Sequence, residues 1–150
     1  MMTREGVQVL PPDINKSGER FTPTDLSTIR FGLSAVKGMG KSFVKSTISN
    51  REIQGPFSSY INYCQRLGAI PVDKKEALIG AGAFDFEQET NPFAHRGFLL
   101  EHARSLNEYA KAVVDRPNKK MPNFYYVDEL TDLQKGELEK EYVSFYLTAD

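Results

Sequence analysis

Residues 33–48 read LSAVKGMGKSFVKSTI and place a Gly-x-Gly turn, Gly38-Met39-Gly40, between two apolar runs. Because glycine lacks a Cβ, it adopts the left-handed conformations that a tight connection needs and lets another chain approach closely. A helix that starts after Gly40 exposes its first N–H groups and the positive end of its dipole. The stretch therefore predicts a hairpin between two helical segments, with a phosphate site at the start of the second.

The composition limits the class of protein. The chain has 150 residues, of which 40% are hydrophobic and 26% charged, and this fits one globular domain or two small subdomains. No apolar run approaches the roughly 20 residues that span a bilayer. The N-terminus, MMTREGVQV, lacks the apolar core of a signal peptide. We therefore expect a cytoplasmic protein with no membrane partner.

The charge is unevenly distributed although the net charge is −1. Residues 30–54 carry five cations against Glu52, whereas residues 127–141 carry six acids against two lysines. The positive excess coincides with the glycine turn, as a local phosphate site would require. An ordinary solvated helix face would explain the charge equally well, so charge alone does not decide between these readings.

Hydrophobic periodicity predicts mostly helices. Ile29, Phe31 and Leu33 alternate with smaller or polar residues, and with Phe21-Thr22 they predict a short β-hairpin after a looped opening segment. Asp73 and Glu76 have the spacing of a capping box. Helices are expected at about 41–51, 58–67, 73–79, 94–114 and 130–146. The predicted fold class is mainly α, a helical domain that contains a helix-hairpin-helix and begins with a short N-terminal β-hairpin.

The chain is expected to divide into three parts. Residues 1–34 form the extended segment and β-hairpin, and residues 35–92 form the helix-hairpin-helix region. Residues 93–150 form a helical extension with a loop at 115–128. The apolar stretch at the C-terminus has no cap, which is typical of a piece of a longer protein.

A second turn, Gly80-Ala81-Gly82, follows the first by 42 residues. It predicts a degenerate second hairpin whose outgoing helix is delayed by the loop FDFEQETNP. No cation lies between Lys75 and Arg96. We therefore expect this second turn to pack against the protein rather than to bind an anion.

Catalytic and metal chemistry have little support. Cys64 lies among apolar residues and is expected to be buried. His95 and His102 lack the i, i+4 spacing of a helical zinc pair and are expected to be solvated or half-buried. An acidic loop (Asp85, Glu87 and Glu89) and the cluster DELTDLQKGELEKE are both expected to face solvent, the latter as one side of a helix. The aromatic run NFYYV could stack bases, although a packed loop is the commoner explanation. No catalytic residue and no metal ligand is predicted.

Phosphate binding is the chemistry that the sequence does support. In the predicted hairpin, backbone N–H groups donate to phosphate oxygens, Ser42 adds a hydroxyl and the lysines add charge. Such contacts hold DNA without reading its sequence and weaken steeply with salt. A simple turn between helices remains the structural alternative. The candidate DNA-binding residues are Lys37, Gly38, Met39, Gly40, Lys41, Ser42 and Lys45.

The order of several segments resembles a known family. VLPPDIN, IRFGLSAVKGMG, GPFSSYINYCQRL, EALIGAGAFD and LEKEYVSFYLT are similar to a stretch of the bacterial replicative DNA polymerase III alpha subunits, and the resemblance covers most of residues 7–148. In that family the stretch lies at the end of the fingers region and includes a helix-hairpin-helix beside the primer–template duplex. Two departures are Ser42, where such motifs often have lysine, and Thr148-Ala149-Asp150 in place of Gly-His-Pro.

The resemblance implies a role and its limits. The parent protein would be a DNA-directed DNA polymerase that uses magnesium, but the acidic residues of the family's palm have no counterpart here. This chain would therefore need no cofactor of its own and be inactive alone. Its expected partners are double-stranded or primer–template DNA, other domains of the polymerase and holoenzyme subunits. A pentapeptide for binding a sliding clamp is not evident.

Two other functions remain open. A helical scaffold that contacts polymerase domains or holoenzyme subunits without touching DNA would suit the acidic last helix and the near-neutral charge. An independent repair or recombination protein could use the same motif, but the agreement of several segments argues against it.

Overall fold

A small sheet precedes a helical body in residues 6–143, the part of the chain that the computed structural model describes. The strands are β1 (Gln8–Leu10), β2 (Thr22–Pro23) and β3 (Thr28–Arg30). The α-helices are α1 (Lys41–Gln54), α2 (Tyr60–Arg66), α3 (Val72–Ala81), α4 (Arg96–Asp115) and α5 (Asp132–Val143). The predicted class, mainly α with a short N-terminal β-hairpin, is confirmed. The three-part division of the chain stays a prediction.

Strand β3 lies in the middle of the sheet. It pairs antiparallel with β2, with Thr22 opposite Arg30, so the predicted hairpin is confirmed. It also pairs in parallel with β1, with Val9 opposite Ile29. The sequence predicts an extended or looped opening segment. Its prolines and polar residues give no sign of strand β1, whose partner lies 20 residues further along the chain.

Helix α1 is longer than predicted and buries one of its faces. Val44 and Thr47 are buried, and the Thr47 hydroxyl lies 2.8 Å from the Tyr63 hydroxyl of α2. The helix ends at Gly55, whose φ of +87° is one that residues with a Cβ rarely adopt. Gly55 and the proline that follows it stop the helix.

The core lies where α2 and α3 pack on α4. The buried rings of Tyr60 and Tyr63 each lie 5.3 Å from the ring of Phe84. The Tyr60 hydroxyl donates to the Ala103 carbonyl of α4. Cys64 is fully buried beside them, as predicted, and burial raises the pKa of its thiol to about 11.

The predicted capping box is wrong. Helix α3 begins one residue earlier than expected, and its N-cap is Pro71, which has no side chain that can accept a hydrogen bond. Asp73 is instead in the first turn, where its carboxylate lies 3.5 Å from the Lys74 ammonium. Lys75 is fully buried and donates to Asn107 of α4, and this contact helps to set the position of α3.

Arg96 is the centre of a buried charge network. Its guanidinium lies 2.6 Å from Asp85 and 2.9 Å from Glu139 of α5, and it also donates to the Gly80 carbonyl. Burial lowers the pKa of Arg96, but the two carboxylates outweigh burial and leave that pKa raised. Glu139 is completely buried, so α5 does not simply present its acids to solvent.

The prediction of a solvent-facing acidic loop is confirmed for Glu89 alone, and the prediction for the histidines is wrong. Asp85 binds Arg96, and Glu87 accepts the Tyr60 backbone N–H at 2.8 Å, so only Glu89 of the three acids is exposed. His95 and His102 are both 5% exposed. The partners of these groups come from distant segments, which local sequence patterns do not reveal.

The two histidines have different structural roles. The Nδ1 atom of His95 accepts the Phe98 N–H, which caps the start of α4. The Nε2 atom of His102 lies 2.9 Å from the Tyr125 carbonyl and so ties α4 to the segment between α4 and α5. Both rings therefore serve as connections within the fold.

The segment between α4 and α5 is a loop, as predicted, and it returns along α4. Glu129 accepts the Gly97 N–H at 3.0 Å and pairs with Lys135 of α5. Burial raises the pKa of Glu129, but these hydrogen bonds and the Lys135 charge leave it lowered. The predicted end of α5, residues 144–146, lies outside the described residues. No helix within residues 6–143 is long and apolar enough to cross a bilayer.

Candidate nucleic-acid interface

The first Gly-x-Gly turn follows a single 3-10 turn, Leu33–Ala35, and leads directly into α1. The Met39 N–H donates to the Val36 carbonyl, which closes the connection. Gly38 has φ of +90°, so its conformation is one that residues with a Cβ rarely adopt. Gly40 is the N-cap of α1, in an extended conformation. The element before the hairpin is therefore much shorter than the helix after it.

The start of α1 is open on the surface. The N–H groups of Phe43 and Val44 both donate to the Gly40 carbonyl. Within residues 6–143, the N–H groups of Lys41 and Ser42 have no acceptor in hydrogen-bond range. Free N–H groups and the positive end of the helix dipole make this end of α1 suited to an anion.

The candidate side chains divide into one that is buried and several that are exposed. Met39 is 6% exposed and belongs to the core, so it anchors the turn and can offer only its backbone to a ligand. The other side chains with polar or charged ends are all exposed: Lys37, Lys41, Ser42 and Lys45. Lys41 and Lys45 are four residues apart and therefore lie on the same side of α1.

Two of the five cations near the turn serve the fold. Arg30 donates to the Pro11 carbonyl at 2.9 Å. Arg51 donates to the carbonyls of Ile14 and Ser17, and burial lowers its pKa. Of these five cations, only the three lysines are therefore available to a ligand at this surface.

The comparisons with known proteins identify the family. The family model described as "Helix-hairpin-helix motif" matches residues 6–91, more than half of the chain. The chain belongs to this family.

DNA polymerase III alpha subunits are similar to the chain over a wider range. The one from Chlamydia pneumoniae is 42% identical over 163 residues, and the one from Deinococcus radiodurans is 32% identical over 160 residues. Both matches cover 95% of this chain, but only 13% and 12% of those relatives. The one from Neisseria meningitidis serogroup A is 44% identical over 82 residues, covering 53% of this chain and 7% of that protein. The resemblance seen in the sequence is confirmed.

The second Gly-x-Gly turn, also inside the matched region, is buried. Gly80 lies within α3, and a Cβ there would be 2.7 Å from the ring of Tyr142. Gly82 is the C-cap of α3 with φ of +98°, and a Cβ there would be 2.8 Å from the Arg96 guanidinium. The prediction that this turn packs against the protein is confirmed.

Sequence reasoning missed Lys74. Its ammonium lies 4.0 Å from where a Cβ on Gly38 would be, the nearest heavy atom of residues 6–143 to that position outside Gly38 and its two chain neighbours. The spacing around Asp73 predicts a capping box, and Lys74 follows Gly38 by 36 positions, so their proximity is not visible in the sequence. The only local sign of a further cation for this surface is the adjacent pair Lys74-Lys75.

The hairpin also contacts α5. The Lys37 N–H donates to the Tyr142 carbonyl at 2.7 Å, so this N–H is not available to a ligand although the Lys37 side chain is.

The aromatic run NFYYV packs only in part, because Phe124 is half-buried whereas Tyr125 and Tyr126 are 64% and 58% exposed. Residues 6–143 contain no group of three or more His, Cys, Asp or Glu side chains that could hold a metal ion.

Proposed function

We propose that this chain is a sequence-independent DNA-binding region of a bacterial DNA polymerase III alpha subunit. The single observation that supports this function most is the surface turn at Gly38–Gly40, where the open N-terminus of α1 adjoins three exposed lysines. A helix N-terminus with nearby cations suits a phosphate group. The ligand in this proposal is the backbone of duplex or primer–template DNA.

The proposed contacts follow from the geometry of the turn. A phosphate oxygen accepts the free N–H groups of Lys41 and Ser42, and the Ser42 hydroxyl donates a third hydrogen bond. Lys41 and Lys45 supply charge along one side of α1, and Lys37 supplies it at the turn. None of these groups needs a base edge, so binding would not depend on sequence.

The proposed role is to hold DNA for a polymerase that acts elsewhere. The relatives named DNA polymerase III subunit alpha are far longer than this chain, which covers 13% or less of those compared above. In this proposal the parent protein carries out DNA-templated replication in the cytoplasm with magnesium, and this region contributes grip but no catalytic group. Other polymerase domains and holoenzyme subunits would be its protein partners.

Salt-dependent binding to a fluorescent primer–template duplex tests this function. The triple variant Lys37→Ala/Lys41→Ala/Lys45→Ala should bind more weakly, and its plot of log affinity against log salt should be shallower by up to about 2.7, since each phosphate contact contributes about 0.9. The matched control removes three exposed cations from the loop after α4, Arg116→Ala/Lys119→Ala/Lys120→Ala. It should keep the wild-type slope.

The result that overturns the proposal is a folded triple variant with wild-type affinity and slope. Equal losses in both triple variants would show that only net charge matters and would remove the hairpin from the site. Circular dichroism melts of all three proteins establish that the variants are folded.

A helical scaffold without DNA contact is the second candidate function. It is favoured by the exposed rings of Phe93 and Tyr126, whose centroids lie 5.7 Å apart, because large apolar groups on a surface often mark a protein contact. No detectable DNA binding at low salt, together with tight binding to another segment of the polymerase, would favour the scaffold.

A further inference from the structure

Lys74 brings a second helix to the candidate DNA surface. It lies in the first turn of α3, and its ammonium is 4.0 Å from the position that a Cβ on Gly38 would occupy. Gly38 itself is exposed, and among the described residues no other heavy atom outside Gly38 and its two chain neighbours lies within 4 Å of that position. The cation therefore lies directly beside the open face of the hairpin.

The two adjacent lysines of α3 have different environments. Lys75 is fully buried and donates to Asn107, so it belongs to the core. The Lys74 side chain is 29% exposed and points towards the turn instead. One lysine of the pair therefore holds α3 against α4, and the other lies at the surface beside the glycine turn.

Lys74 lacks a strong ion-pair partner within residues 6–143. The one carboxylate in range is that of its neighbour Asp73, at 3.5 Å, and the Asp73 side chain is 63% exposed. A pair at the surface with an exposed carboxylate contributes little to stability. The ammonium can therefore exchange this partner for a phosphate at small cost.

We propose that Lys74 binds a DNA backbone phosphate beside the one held at the start of α1. The site would then be built from two helices, with Gly38 left bare so that the backbone can approach between Lys37 and Lys74. This inference rests on the proposed DNA-binding function and extends it to a residue outside the hairpin sequence. It also gives Gly38 a role in DNA binding, in addition to its conformational role in the turn.

The test is the salt dependence of duplex binding by the full chain with Lys74→Ala and Lys74→Arg. The alanine variant should weaken binding to duplexes of different sequence equally and make the slope of log affinity against log salt shallower by about 0.9. The arginine variant, which keeps the charge, should retain most of the affinity and the wild-type slope. Lys119→Ala, which removes an exposed lysine from the loop after α4, is the matched control.

Lysine acetylation gives a second measurement that needs no substitution. Duplex DNA should protect Lys74 together with Lys37, Lys41 and Lys45, while Lys119 and Lys120 stay reactive. Lys74 acetylated at the same rate with and without DNA, while the hairpin lysines are protected, would overturn this inference alone. An unchanged slope in Lys74→Ala beside a shallower slope in the hairpin triple variant would do the same. If the hairpin triple variant also binds normally, the proposed function itself fails.

Discussion

The two Gly-x-Gly turns of this chain share a local pattern and differ in everything that surrounds them. Gly38-Met39-Gly40 lies at the surface, where both glycines are exposed and the intervening methionine is buried. Gly80-Ala81-Gly82 is completely buried, in α3 and at its C-cap. At the first turn the absence of a Cβ leaves open space, whereas at the second it lets other parts of the protein approach.

The groups that meet each turn explain the difference. A Cβ on Gly80 or Gly82 would lie under 3.0 Å from the ring of Tyr142 or the guanidinium of Arg96. At Gly38 the one atom of residues 6–143 within 4 Å of such a Cβ, outside Gly38 and its two chain neighbours, is the end of the flexible Lys74 side chain. A glycine pair at the start of a helix can therefore serve a ligand, whereas one at its end here serves the packing of α4 and α5.

The largest effect on stability should come from substitution of Arg96, whose guanidinium donates to the Gly80 carbonyl in the second turn. Arg96→Ala removes the ion pair between the guanidinium and the fully buried Glu139 and a donor to the Gly80 carbonyl. We expect a loss of about 3–5 kcal/mol in the free energy of unfolding, measured by urea denaturation. Arg104→Ala, whose side chain is 69% exposed and lies 3.4 Å from Glu76, is the control and should cost less than about 1 kcal/mol.

A loss below about 1 kcal/mol in Arg96→Ala would contradict this account of the second turn. It would mean that Glu139 either reaches solvent or becomes protonated without cost once the guanidinium is gone.

Alanine at the positive-φ glycine of each turn should give a smaller and more discriminating effect. Gly38 and Gly82 have similar φ, +90° and +98°, so backbone strain of about 1–2 kcal/mol is common to both substitutions. Only Gly82→Ala adds steric conflict, since its Cβ would lie 2.8 Å from Arg96 and 3.1 Å from Asp85. The unfolding free energy should therefore fall further in Gly82→Ala than in Gly38→Ala.

Gly40→Ala is the reference variant for Gly38→Ala and Gly82→Ala. Its φ is −66° and the nearest atom to the new Cβ is 3.6 Å away, so the change in stability should be well below that of either other variant. Equal losses in Gly38→Ala and Gly82→Ala would show that packing around the second turn contributes nothing beyond strain.

The sequence predicted the regular elements better than the contacts between them. Helices α1, α2 and α4 follow from apolar spacing and from stop signals such as Gly55-Pro56, which act within a few residues. Strand β1 was missed because its partner is far along the chain. The capping box at Asp73 was wrong because its spacing alone does not place the start of α3, which begins after Pro71.

Only the part of the candidate site that lies within residues 37–45 could be predicted from the sequence. Exposure of Lys37, Lys41 and Lys45 follows from their polar character beside an apolar stripe, and the glycine turn is visible in the sequence. The burial of Met39 in the core and the approach of Lys74 from α3 depend on long-range packing, as the placement of Asp85 depends on its contact with Arg96. Long-range partners of this kind leave no periodic signal.

An amide chemical-shift titration of the full chain with a short duplex tests the central claim most directly, because it examines both turns in one experiment. The account predicts shifts concentrated on residues 37–45, with Lys74 beside them, that shrink as salt is raised. Residues 80–84 should stay unchanged. Shifts at the second turn, or none at residues 37–45 while the duplex is bound elsewhere, would contradict it.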